Sequence, residues 1–122
     1  MPNHPWSRFF LGAAVFNFAV GLPLLFSPLT MFATLGQTPP NDLFFVRASG
    51  LLIACFGVGY YFISRDPPAN RNIVWLGVIG KSGVVVLSAL YWSAGLLPTL
   101  SAVASLGDLA FVVMFLRFLA AA

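Results

Sequence analysis

The sequence predicts an all-α fold, a four-helix transmembrane bundle with both termini cytoplasmic and a short interfacial helix in the first loop. Composition is the first ground. Of 122 residues, 60% are hydrophobic and 7% charged, with a mean hydropathy of +0.95, whereas soluble chains carry about 25% charged residues. Length is the second: four apolar runs, each near the roughly 20 residues that cross ~30 Å of hydrocarbon, are separated by loops rich in structure breakers. The third is where the cations fall. Arg8, then Arg65 and Arg71, then Arg117 mark the N-terminus, the second loop and the C-terminus, while the first and third loops hold no Lys or Arg. Four spans put those basic segments on one side, and the positive-inside rule makes that side cytoplasmic. Residues 1–122 thus read as a single integral membrane domain with spans at about 9–26, 43–63, 73–92 and 100–119.

Taken in order, the first run follows Trp6 and Arg8 and is too long for a signal peptide, whose apolar core has ~7 to 15 residues before a small-residue cleavage site. It is expected to be a retained span, with Pro23 kinking its last turn or ending it early. Residues 27–42 contain Pro28, Gly36, Pro39 and Pro40. The apolar piece LTMFATL between them is too short to cross and is expected to lie along the interface. In the second span the small residues Gly50, Ala54 and Gly57 recur at steps of four and three, which admits another helix closely; Tyr60 and Tyr61 are placed at the opposite interface. The loop SRDPPANRN reads as a tight solvated turn. The third span is IVWLGVIGKSGVVVLSALYW, with Trp75 near one end and Tyr91 and Trp92 at the other, the aromatic pattern of two interfaces. Gly95 and Pro98 break the chain before the fourth span, and Ala120–Ala122 are expected to leave no soluble tail.

Charged groups inside these runs are the candidate functional residues, because a charge at bilayer depth costs roughly 3 to more than 10 kcal/mol unless it is paired or lines a polar cavity. A rise of ~1.5 Å per residue puts Lys81 about 12 Å and Asn17 about 13 Å from the cytoplasmic edge, with Asp108 about 10 to 12 Å and Arg47 about 6 Å below the outer one. Helical spacing gives each span one small or polar face: Ser101, Ala104, Ser105 and Asp108; Ala13, Ala14, Asn17 and Gly21; Arg47, Gly50 and Ala54; Gly77, Lys81 and Ser88. Such faces belong inside a bundle, and the bulky Phe, Leu and Val residues are expected to face lipid. The expected intramembrane polar network is Asn17, Arg47, Lys81, Ser105 and Asp108. It serves either as a structural charge network fixing helix register, or as a site for a proton, an anion or a polar ligand head. Two cations opposite one carboxylate lend weight to the second reading.

Other chemistry finds little support. Six cations without a cluster make no nucleic-acid footprint. One cysteine, Cys55, forms neither an intramolecular disulfide nor a CxxC site and is expected to be a small buried hydrophobe. His4 stands alone, so no metal is expected. Gly80-Lys81-Ser82 imitates the end of a phosphate-binding loop, but Trp75 occupies the position of the first glycine, and no strand leads in. With no Glu and no second intramembrane carboxylate, acid–base catalysis is not expected. A Ser–Lys dyad of Lys81 with Ser105 or Ser88 is the one arrangement open to an enzyme.

The stretches FNFAVGLPLLFSP, LFFVRASGLLIACFGVGYY and NRNIVWLGVIGK, with four spans, short loops and an arginine at the start of the second helix, resemble DoxX-like and other small four-helix bacterial membrane proteins. The resemblance implies a bacterial inner-membrane location and an association with membrane redox and thiol-stress partners. The function expected is a non-catalytic accessory or scaffold subunit that packs against a larger membrane complex or a second copy. The alternative is a small carrier or ligand-binding bundle for a quinone, lipid, anion or proton, using Lys81, Asp108 and Arg47. No cofactor is expected beyond a bound lipid or quinone.

Overall fold

A computed structural model describes residues 4–121. Its helices are α1 (Ser7–Phe26), α2 (Pro28–Thr34), α3 (Phe44–Arg65), α4 (Arg71–Ser93) and α5 (Thr99–Ala120), with a 3-10 turn at Pro68–Asn70 leading into α4. The helices α1, α3, α4 and α5 are each long and apolar enough to cross a membrane. They contain 20, 22, 23 and 22 residues, hence lengths of about 30 to 35 Å at ~1.5 Å per residue. Six of their eight ends lie one or two residues beyond the apolar run, because polar groups such as Ser7, Arg65 and Arg71 continue a helix that hydropathy alone would stop; α1 ends at Phe26 as expected and α3 starts one residue later than expected, at Phe44.

Helix termination follows local chemistry. Pro23 does not end α1, which runs on to Phe26 and closes with the Ser27 amide donating to the Pro23 carbonyl at 2.7 Å. A proline this near the C-terminus removes one amide donor but leaves few later bonds to disturb. α2 starts with Pro28 in its first position, where the missing amide is no loss, and ends at Gly36, whose φ of 68° lets the Gln37 amide reach back to Phe32 at 2.9 Å. Gly95, with φ 75°, ends α4 in the same way, the Leu96 amide bonding the Tyr91 carbonyl at 2.8 Å. Both closures need the left-handed conformation that glycine adopts without strain.

The long helices form two close pairs, α1 with α3 and α4 with α5, while α3 and α4 touch much less. In the first pair the small-residue stripe brings backbones into contact. A Cβ added to Gly21 would lie 2.7 Å from the Gly50 carbonyl oxygen, and one on Gly50 would lie 2.6 Å from the Leu25 nitrogen. Aromatic side chains join the two pairs. Phe10 stacks on Phe115 at 5.3 Å, Phe9 meets Phe111 at 5.7 Å, and Tyr60 meets Phe115 edge-on at 5.3 Å. Each such contact stabilises by about 0.5 to 1.5 kcal/mol. In lipid, packing of this kind replaces the hydrophobic effect as the force holding helices together.

This layer corrects the expectation that phenylalanines face outward: Phe10, Phe115 and Phe118 are buried. On α5 they continue the Asp108 face, since Val112, Phe115 and Leu119 follow it at steps of four, three and four and are all buried. Cys55 is exposed rather than buried. Ala54 faces α1, and the ~100° turn to the next residue carries Cys55 off that contact.

Candidate functional site

Lys81, near the middle of α4, is 6% exposed, and its surroundings supply what a buried ammonium requires. Nζ donates to Asp108 Oδ1 at 2.6 Å and to Asn17 Oδ1 at 3.0 Å. The Asn17 amide nitrogen in turn donates to the Ile53 carbonyl at 3.0 Å. One chain of polar contacts therefore runs from α5 through α4 and α1 to α3. Three rings complete the enclosure, with the Phe16, Phe111 and Tyr60 centroids 4.9, 5.0 and 5.6 Å from Nζ. Ring faces attract a cation by about 0.5 to 2 kcal/mol each, more where water is excluded.

Local sequence explains how these groups meet. Asn17 and Lys81 lie at matched levels on helices that run the same way, each ten residues from its helix start. Asp108 reaches Lys81 from the adjoining helix of the α4–α5 pair. Gly77, one turn before Lys81, makes room for Tyr60: a Cβ there would stand 2.8 Å from the Tyr60 hydroxyl and from Phe115.

Beside the ion pair, where α3 and α4 make few contacts, is a cavity of about 310 Å³ lined by residues of all four long helices. Its polar wall is Asn17, Lys81, Asp108 and Tyr60, and the remainder is apolar, with Phe16 and Phe56 the largest side chains. Leu52 and Val84 also line it and are 62% and 47% exposed, so the cavity reaches the outer surface of the bundle beside them. Gly80 lines it too, and a Cβ at that position would meet nothing within 4 Å.

Of the residues expected to form the network, the structure joins Asn17, Lys81 and Asp108 and leaves out two. Arg47 donates through Nη1 to the Leu25 carbonyl at 2.5 Å. That carbonyl lies in the last turn of α1, where no helical amide is available, and the C-terminal end of a helix dipole favours a cation. Arg71 does the same for α5, bonding the Leu119 carbonyl at 2.9 Å. Ser105 turns its hydroxyl back onto the Ala102 carbonyl at 2.7 Å, a local bond that short hydroxyl side chains readily make in helices. It lines a separate groove of about 230 Å³ between α4 and α5. Ser101 instead bonds the Gln37 side chain at 3.0 Å, tying α5 to the loop after α2.

The residues that sequence reasoning missed are the rings. Tyr60 is not at an interface; it is 1% exposed and lines the cavity. It continues the stripe of Gly50, Ala54 and Gly57 by one more step of three, and that spacing was the available signal. Phe16 adjoins Asn17, and Phe111 is three residues past Asp108. Tyr61 does reach an outer position, where its hydroxyl accepts from Arg65 Nη1 at 3.0 Å.

The fold and site define a small all-helical protein, with four helices able to cross a membrane and a buried Lys–Asp pair beside a laterally open apolar cavity. No protein-family model, curated protein or solved structure matches the chain.

Proposed function

We propose that the chain is a small integral membrane protein that binds a lipophilic molecule taken from the bilayer. The head of the ligand rests against Lys81, Asp108 and Tyr60, and its apolar remainder passes outward between Leu52 and Val84. The observation that carries this reading is the cavity of about 310 Å³ with a polar wall and the exposed side chains of Leu52 and Val84 in its lining. Small-molecule sites have the same make-up, an apolar concavity of about 300 Å³ or more with a few convergent polar groups. Among the ligands considered from sequence, a quinone or another lipid fits a cavity whose lining is largely apolar. The role is binding rather than catalysis, because Lys81 and Asp108 are engaged with each other. Arg47, held at the end of α1, takes no part.

In this reading both termini are cytoplasmic, α2 lies in the outer interface, and the membrane is a bacterial inner membrane. An accessory role in a larger complex, or in pairing with a second copy, would draw on outward side chains such as Leu87 and Leu90, 58% and 59% exposed. Lipid covers such residues equally well, so they do not favour a protein partner.

The test is native mass spectrometry of the full chain released from mild detergent, comparing the wild type with Gly80→Phe. The expected result is a small-molecule adduct on the wild type that the variant loses, since the new ring fills the cavity without meeting a neighbour at its Cβ. Identical adduct patterns on the two proteins would refute the proposal.

A further inference from the structure

We infer that the cavity selects an uncharged head bearing a hydroxyl group, and discriminates against carboxylate and other anionic heads; this rests on the binding function proposed above. Three observations carry it. The first is charge balance. With Arg47 bound to the Leu25 carbonyl, the cavity wall holds one cation and one anion, Lys81 and Asp108, 2.6 Å apart. No positive excess remains for an anion, which would have to displace Asp108 to gain the ammonium.

The second is what this pairing leaves over. Asp108 accepts through Oδ1, so Oδ2 is without a donor among the described residues. The Tyr60 hydroxyl has no hydrogen-bond partner among them either, although the residue is only 1% exposed and its hydroxyl lies against Gly77, which also lines the cavity. Among the described residues only Ser7 Oγ is a fully buried side-chain polar atom without a partner, so the Tyr60 hydroxyl and Asp108 Oδ2 keep some accessible surface and are free to bond a ligand. The third is complementarity of type. A carboxylate oxygen only accepts, whereas a phenol hydroxyl donates and accepts. A ligand hydroxyl can donate to Asp108 and accept from Tyr60 at once. An ether can only accept, and a carboxylate would bring a second negative charge to Asp108.

The test uses the full chain in detergent with three matched probes at equal mole fraction: 4-nonylphenol, its methyl ether 4-nonylanisole, and 4-nonylbenzoate. Apparent affinities are read by native mass spectrometry for the wild type, Tyr60→Phe and Gly80→Phe. The expected result is that the phenol binds at least about 5- to 10-fold more tightly than the ether, as one lost hydrogen bond predicts, and more tightly again than the benzoate. Tyr60→Phe should weaken the phenol and the ether by about that same factor, since both accept from the Tyr60 hydroxyl, and leave the preference between them. Far-ultraviolet circular dichroism and thermal unfolding establish that each variant is folded, and Gly80→Leu replaces Gly80→Phe if the larger side chain unfolds the chain. Benzoate binding equal to or tighter than phenol, lost in the cavity-filling variant, overturns the selectivity and leaves the binding function standing. A phenol affinity unchanged by Tyr60→Phe also overturns the selectivity. Binding of all three probes unaffected by filling the cavity, or no binding at all, overturns both.

Discussion

Removing the Lys81 ammonium alone should harm the protein more than removing it together with the Asp108 carboxylate. At 2.6 Å the pair attracts by about 6 kcal/mol if the effective dielectric constant is ~20. Much of that attraction offsets the cost of taking both charges out of water, so the pair as a whole contributes far less. Lys81→Met strands a carboxylate that is 19% exposed on its side chain, and losing one partner of a buried pair costs about 3 to 5 kcal/mol. The double variant Lys81→Met with Asp108→Leu still leaves Asn17 Oδ1 without its donor, a loss of about 1 to 3 kcal/mol. Lys81→Met should therefore be less stable than the double variant by about 2 kcal/mol, roughly 30-fold in the folding equilibrium. The assay is reversible unfolding in mixed micelles by denaturing-detergent titration, run on the wild type, both single variants and the double. Equal stabilities for Lys81→Met and the double variant, or a coupling below about 0.5 kcal/mol, would refute the reasoning.

Two neighbouring glycines should respond oppositely: Gly77→Ala sets a Cβ 2.8 Å from the Tyr60 hydroxyl and Phe115 and should destabilise by about 1 to 3 kcal/mol, whereas Gly80→Ala, with open space around its Cβ, should leave the same titration midpoint nearly unchanged. Gly50→Leu should separate α1 from α3, because its Cβ would already stand 2.6 Å from the Leu25 nitrogen; loss of the wild-type elution peak on size exclusion and loss of thermal cooperativity are the readouts. For orientation, in a Cys55→Ala background, cysteines placed at Gln37 and Gly95 should react with an impermeant thiol reagent applied to intact cells, and one at Asn70 should not. Labelling at Asn70 alone would invert the topology.

Sequence resolved the long helices because hydropathy and breaker residues act locally. Lys81, Asn17 and Asp108 were legible as partners because each is a polar group in an apolar run, and rise per residue places such groups by depth. Depth alone does not give azimuth. Arg47 is within plausible reach of Asp108 by level, but it points instead to the Leu25 carbonyl, a contact that depends on where α1 ends beside α3. The aromatic enclosure was hidden for a different reason: a phenylalanine suits lipid and protein interior alike, so Phe16 and Phe111 carry no signal of burial by type. Their positions next to Asn17 and one turn past Asp108 were the signal, and it is spatial. The cavity could not be read at all. It lies where α3 and α4 make few contacts, and that depends on how the two helix pairs pack against each other through the ring layer.

The central claim, that the gap between α3 and α4 admits a lipophilic molecule to the Lys81–Asp108 wall, is tested most directly by an experimental map of the full chain crystallised from a lipidic phase. The account predicts non-protein density in contact with the Tyr60 hydroxyl and Asp108 Oδ2, continuing outward between Leu52 and Val84. A closed gap, with Leu52 packed on Val84 and the space beside Lys81 filled by the protein's own side chains, would contradict it.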